Sequence, residues 1–168
     1  DVCSSDLTAG TTAWWRVAPD VAVLRFRGPD GRKAVRPYWW DGKRWVCKHA
    51  PGPRRLYWSR RLASAPVLIV EGEPAADAAA RLFAGHAVVT WVGGTGSIKL
   101  AAWDALRGRR CQLWPDADPP GVKAMAWLAE HLRGLGCAVA VVEPPADLPQ
   151  GWDLADADWT PEQAAKEL

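Results

Sequence analysis

Asp116 and Asp118 stand two apart just after the stretch Arg109 to Trp114. If that stretch is extended, alternate side chains share a face and the two carboxylates point the same way. Such a pair suits a hard divalent cation, which takes oxygen ligands and keeps several waters. Glu71 closes an apolar run, Val67 to Val70, and a further acidic segment, Gly151-Trp-Asp-Leu-Ala-Asp156, follows the run Ala138 to Val142. A dication held by carboxylates stabilises the negative charge that gathers during phosphoryl transfer. Each signal is weak alone: Asp is common at strand ends, Gly93-Gly94 is a tight turn, and Glu73 suits the first turn of a helix through the helix dipole.

Bringing these groups together takes a parallel sheet, because ligands of open α/β sheets bind outside the carboxyl ends of the strands. The spacing predicts strands at Val67–Val70, Ala87–Val92, Arg109–Trp114 and Ala138–Val142, with helices over 74–84, about 98–107 and 119–135 between them. Alternation of strand and helix is the signature of a parallel sheet with crossover helices. Glu71, the Gly93-Gly94-Thr95-Gly96 loop, Asp116, Asp118 and the 151–156 segment then fall on one edge.

Upstream, residues 14–58 alternate apolar or aromatic runs with the turns Gly28-Pro29-Asp30-Gly31 and Asp41-Gly42. Asp-Gly turns between such runs predict a small antiparallel β meander. Arg32, Lys33, Lys43 and Arg44 flank its turns, and six tryptophans (14, 15, 39, 40, 45 and 58) lie within it. Rings interleaved with cations suit single-stranded nucleic acid, although rings also fill small β cores. Lys99 and Lys123, at helix starts beside the acidic edge, are further candidates for meeting phosphate. Residues 1–65 hold 13 Lys/Arg against 5 Asp/Glu, and residues 66–168 hold 8 against 14, so the net +2 conceals a basic half and an acidic half. That asymmetry points to nucleic acid on one side and a cation on the other.

No apolar run approaches the roughly 20 residues of a membrane span, and a cytoplasmic protein is expected. Four scattered cysteines, Cys3, Cys47, Cys111 and Cys137, form no C-x-x-C pair, so neither a disulfide framework nor a zinc ribbon is indicated. Gly93-Gly-Thr-Gly-Ser-Ile-Lys99 lacks the Gly-Lys-Ser/Thr ending of a P-loop, and ATP hydrolysis is not expected. The opening Asp-Val-Cys-Ser-Ser-Asp-Leu has no initiator Met and is read as artefactual. The expected organisation is an artefactual or disordered start (1–13), a basic Trp-rich β module (14–62), an α/β domain (63–158) and a tail or start of a further helix (159–168).

The order of motifs is more specific than any one of them. A strand ending in Glu71-Gly72, a helix, a strand ending in Gly93-Gly94 and a strand ending in Asp116-x-Asp118-x-x-Gly121 resemble the Toprim domain of primases, topoisomerases, recombination mediators and a nuclease family. The phrase Glu71–Ala76 and the closing Gly-Trp-Asp-Leu-Ala-Asp156 most resemble primase-like Toprim proteins of phages and plasmids. The resemblance implies a Rossmann-like four-stranded parallel sheet with flanking helices, preceded by the antiparallel β module. It implies Mg2+, with Mn2+ as an alternative, held by Asp116 and Asp118, and a Glu71 serving in acid/base work or as a ligand. Asp153 or Asp156 would supply a further carboxylate. The expected activity is nucleotidyl transfer from nucleoside triphosphates to an RNA primer on single-stranded DNA, alongside a helicase domain or partner. A Toprim nuclease and a non-catalytic nucleic-acid-binding module are the alternatives.

Overall fold

The computed structural model describes residues 10–27, 31–143, 145 and 147–168. Most of the expected artefactual start, Cys3 included, and the Gly28-Pro29-Asp30 part of the first turn lie outside the described residues. Thr11–Ala18 (β1), Val21–Arg27 (β2), Lys33–Trp40 (β3) and Trp45–Val46 (β4) form an antiparallel sheet in that order. Asp41 makes the β3–β4 turn by accepting the backbone N–H groups of Lys43 and Arg44 on one carboxylate oxygen. Because successive turns of a meander alternate ends, Arg32 and Lys33 sit at one end and Lys43 and Arg44 at the other, about 26 Å apart along β3. All four are exposed, but they form two basic tips rather than one patch.

A second sheet comprises Tyr57–Arg60 (β5), Val67–Ile69 (β6), Ala87–Thr90 (β7), Arg110–Leu113 (β8) and Ala138–Val141 (β9), in the order β5-β7-β6-β8-β9. Strands β7, β6, β8 and β9 run parallel, but β5 pairs antiparallel with β7, so the sheet is five-stranded and mixed rather than four-stranded and parallel. Strand β5 lies within 14–62, the stretch expected to form the small module. Its four residues are all half-buried, as an edge strand permits, so no continuous apolar run marks it.

Helices Glu73–Leu82 (α1), Pro119–Gly134 (α2) and Pro161–Ala164 (α3) complete the layers. Val67 and Ile69 join Met125, Leu128 and Leu132 of α2 in one core, whereas Leu68 and Val70 join Ala76 and Ala79 of α1 in the other. Thus β6 is buried on both faces, as its uninterrupted apolar run requires. The expected helix over 98–107 is instead two 3₁₀ segments, Thr95–Leu100 and Trp103–Leu106. The connector strand breaks it: Arg54 N–H donates to the Leu100 carbonyl and Ala102 N–H donates to the Arg54 carbonyl, each at 2.8 Å. Backbone groups engaged there cannot continue a helix, so tertiary pairing overrides local propensity.

One carboxylate joins the two sheets. Asp77 on α1 accepts hydrogen bonds from Trp15 Nε1 of β1 (2.7 Å), Tyr57 OH (2.7 Å) and Ser59 Oγ (2.6 Å) of β5. Asp77→Ala strands three half-buried donors and should lower unfolding free energy by roughly 2–4 kcal/mol, read as the urea midpoint. An unchanged midpoint would show that the joint carries no stability. Among the described residues, no helix is long and apolar enough to cross a membrane.

Candidate active site

Parallel pairing of β6, β7 and β8 sets Glu71, Gly93-Gly94 and Asp116 side by side at the carboxyl edge. Hydrogen bonds from neighbouring loops then aim the side chains. Gly72 N–H donates to Thr90 Oγ1 (3.0 Å), fixing the turn after Glu71, and Thr95 Oγ1 donates to Glu71 Oε2 (3.1 Å). Glu71 is 8% exposed, and its other oxygen, Oε1, has no hydrogen-bond partner. Asp118 caps α2, its Oδ1 accepting the Gly121 N–H at 2.7 Å. Glu71 Oε1 and Asp118 Oδ1 lie 2.8 and 3.1 Å from the point a Gly121 Cβ would occupy, so only a glycine lets α2 approach so closely.

The 151–156 segment reaches this edge by pairing with Ala117. Ala117 N–H donates to the Trp152 carbonyl and Gly151 N–H donates to the Ala117 carbonyl, both at 3.0 Å. Asp153 is thereby set on the wall of a cleft of about 580 Å³ that Glu71, Glu73 and Asp116 also line. Asp153 and Asp156 cap the short 3₁₀ turn Leu154–Asp156 reciprocally. Asp153 is half-buried, while Asp156 is exposed and accepts the Asp153 N–H.

Crowding shows in the proton affinities. Burial, then Glu71, Asp153, Asp118 and Asp156, pushes the Asp116 carboxyl up to about 8. Burial raises Glu71 as well, with Asp118 and Asp153 adding to it and the Thr95 hydroxyl opposing. Asp153 is raised by burial first and by Asp156, against its bond from the Ala155 N–H and the charge of Arg25. Among the described residues, no three His, Cys, Asp or Glu side chains are already drawn together to chelate an ion. The residues nevertheless fit a hard dication: the donors are all oxygens, one buried oxygen of Glu71 is unpartnered, and Asp116 holds a proton that a cation would displace.

The opposite wall is basic and apolar. Val23, Arg25, Val35 and Pro37 of the small sheet line the cleft. Arg27 and Lys33, paired with each other, continue that face outward because alternate residues share a face. Lys33 therefore stands on the cleft side, and Lys43 and Arg44 at the far end. Lys99 Nζ lies 5.5 Å above the Trp127 ring, a cation–π contact with α2, and Lys123 is exposed on α2. Trp14 and Trp40 are exposed, whereas Trp15 is buried.

Arg25 and Arg54 escaped the sequence reading, Thr95 entered it only within the glycine loop, and His49 had no role there at this site. The Arg54 guanidinium bonds Ser97 Oγ and the Val92 carbonyl, bracing the glycine loop. A Cβ at Gly93, whose φ is +98°, would collide with that guanidinium and with Ser97 Oγ and would crowd the His49 ring. His49 is held below its usual pKa by burial and by Arg54, which favours the neutral imidazole.

No family model and no curated protein matches the sequence. Solved structures do match. The primase fragment of the bacteriophage T7 primase-helicase protein aligns with a TM-score of 0.52 at 19% identity, over 88% of this chain and 60% of that one. The DnaG primase catalytic domain bound to single-stranded DNA aligns at 0.51 and 17% identity, over 88% of this chain and 50% of that one. The zinc-binding and RNA polymerase domains of the Aquifex aeolicus primase align at 0.51 and 16%, over 86% and 38%. The chain therefore spans 60% or less of each of these structures. Its fold is that of DNA primase catalytic fragments, and it resembles the primase-like proteins to which its ordered motifs point.

Proposed function

We propose that this chain is the nucleotidyl-transfer core of a primase, joining nucleoside triphosphates into an RNA primer on a single-stranded DNA template. The observation that carries the reading is the buried, unpartnered oxygen of Glu71 beside Asp116, Asp118 and Asp153 at one sheet edge. Asp116 and Asp118 would hold Mg2+ or Mn2+, with Asp153 as the further carboxylate. Asp156 would act on Asp153 through their shared turn. The ion, when bound, neutralises charge building on the transferred phosphoryl group. Glu71, with its raised proton affinity, suits accepting the proton of the attacking hydroxyl. Lys33 and Arg32, at the cleft end of the small sheet, would guide the template. Lys43 and Arg44 would bind strand further out, with Lys99 and Lys123 contacting it beside α2. A helicase domain or partner would fit the bacteriophage neighbour, a primase-helicase protein.

The experiment is primer synthesis on single-stranded DNA with labelled ribonucleotides. Ribonucleotide oligomers should form with Mg2+ and vanish with chelator, and Glu71→Gln should lower the rate by about 10²–10⁴. No product, with strand binding intact, would replace this reading with a non-catalytic binding module; cleavage of the template would replace it with a nuclease.

A further inference from the structure

Glu73 is as deeply placed as Glu71, at 7% exposure, and its Oε1 likewise has no hydrogen-bond partner. A helix-capping acid would not need such burial: carboxylates that serve the dipole alone sit at the surface, and burying an unpartnered oxygen costs free energy. Glu73 also lines the cleft that holds Glu71, Asp116 and Asp153. From the other wall Arg25 lines the same cleft, its charge acting on both Glu73 and Asp153, and its guanidinium rests on the Trp15 ring at 5.3 Å. Arg25 and the N-terminus of α1 set positive charge beside Glu73, so this pocket suits a neutral hydrogen-bond donor rather than a second cation.

We propose that Glu73 accepts a hydrogen bond from a sugar hydroxyl of the bound nucleotide and so makes the site prefer ribonucleotides to deoxyribonucleotides. This rests on the nucleotidyl-transfer reading given above. If Asp116 and Asp118 hold the phosphates through the bound ion, the sugar is the next group along the nucleotide. Glu73, two residues from Glu71 on the same cleft, is the next acceptor along the chain. Val35 and Pro37 give the ring an apolar wall opposite. An acceptor that is buried and otherwise unpartnered discriminates strongly, because a ligand lacking the hydroxyl leaves it unsatisfied.

The test is equilibrium binding of ATP and dATP to the 168-residue chain with Mg2+, in wild type, Glu73→Gln and Glu73→Ala. Wild type should bind ATP the more tightly, and Glu73→Ala should shrink the ATP/dATP ratio by about 10- to 100-fold, chiefly by weakening ATP. Glu73→Gln, which keeps an acceptor without the charge, should fall between. A ratio equal in all three proteins, as when water alone meets Glu73, overturns the inference while leaving nucleotide binding in place. A loss in Glu73→Ala that follows the base, seen by repeating the series with CTP and dCTP, also overturns it. Failure of wild type to bind either nucleotide sinks the underlying reading as well, and is told apart by that result.

Discussion

Asp116→Asn should abolish metal-dependent synthesis, lowering the rate by about 10³ or more, and should also make the metal-free chain more stable at alkaline pH. The first effect follows from removing a charged ligand at the position where the developing negative charge is met. The second follows from linkage. The Asp116 carboxyl is pushed up to about 8 in the folded chain, against 3.8 when unperturbed. The folded state thus keeps a proton that the unfolded chain has already released. Stability associated with this group is complete below pH 3.8 and is lost progressively as pH rises through 8. The loss is roughly 2–3 kcal/mol, allowing for solvent that still reaches the carboxyl. Melting temperatures in chelator from pH 5 to pH 9 should fall for wild type and stay flatter for Asp116→Asn. Added Mg2+ should restore the wild type at pH 9 and leave the variant unmoved. Parallel pH curves for the two proteins would refute the crowded-carboxylate description.

Gly121→Ala should cost about 100-fold in activity although the change adds one methyl group. Helix propensity alone favours alanine by about 1 kcal/mol. Here the new Cβ would lie 2.8 Å from Glu71 Oε1, 3.0 Å from the Asp116 carbonyl oxygen and 3.1 Å from Asp118 Oδ1. The carbonyl is backbone and cannot rotate away, and both carboxylates belong to the site. The start of α2 must retreat, and displacement of a site by about 1 Å is enough for a loss of this size. The strain should also lower stability by about 1–3 kcal/mol. Gly134→Ala near the other end of α2, where no atom lies within 4 Å of the added Cβ, is the control. Steady-state kinetics and thermal melts of both variants check this, and full activity in Gly121→Ala would mean that α2 does not press on Glu71.

The parts of this architecture that announce themselves in sequence are those whose burial is uniform. Val67 to Val70 is buried on both faces, so its apolar run locates β6 and places Glu71 at its end. The Pro119-Pro120 start of α2 is legible on a different ground, since proline suits the first turn of a helix. Elements set by partners are harder to read. Strand β5 has no apolar run, and residues 98–107 carry helical propensity that pairing with Arg54 defeats. The turns flanked by Lys33 and Lys43 are legible as turns, yet only the strand order shows that they face opposite ways. Within the site, Glu71 and Asp116 follow strand ends and Asp118 starts α2, and they are visible for that reason. Arg25 and Thr95 act across the cleft or the next loop, and no local spacing announces them.

The two hydrogen bonds that clasp Ala117 to Gly151 and Trp152 also impose an order on assembly. Asp116 and Asp153 are far apart in sequence, with all of α2 and β9 between them, and those backbone bonds, together with the packing of Leu154 against α1, bring the later segment home. During folding the chain must therefore close a long loop before the last carboxylate arrives, an entropic cost that local hairpins do not bear. The acidic edge is therefore finished only when that loop is closed, and a chain with the 151–156 segment undocked would present its strands without a complete site.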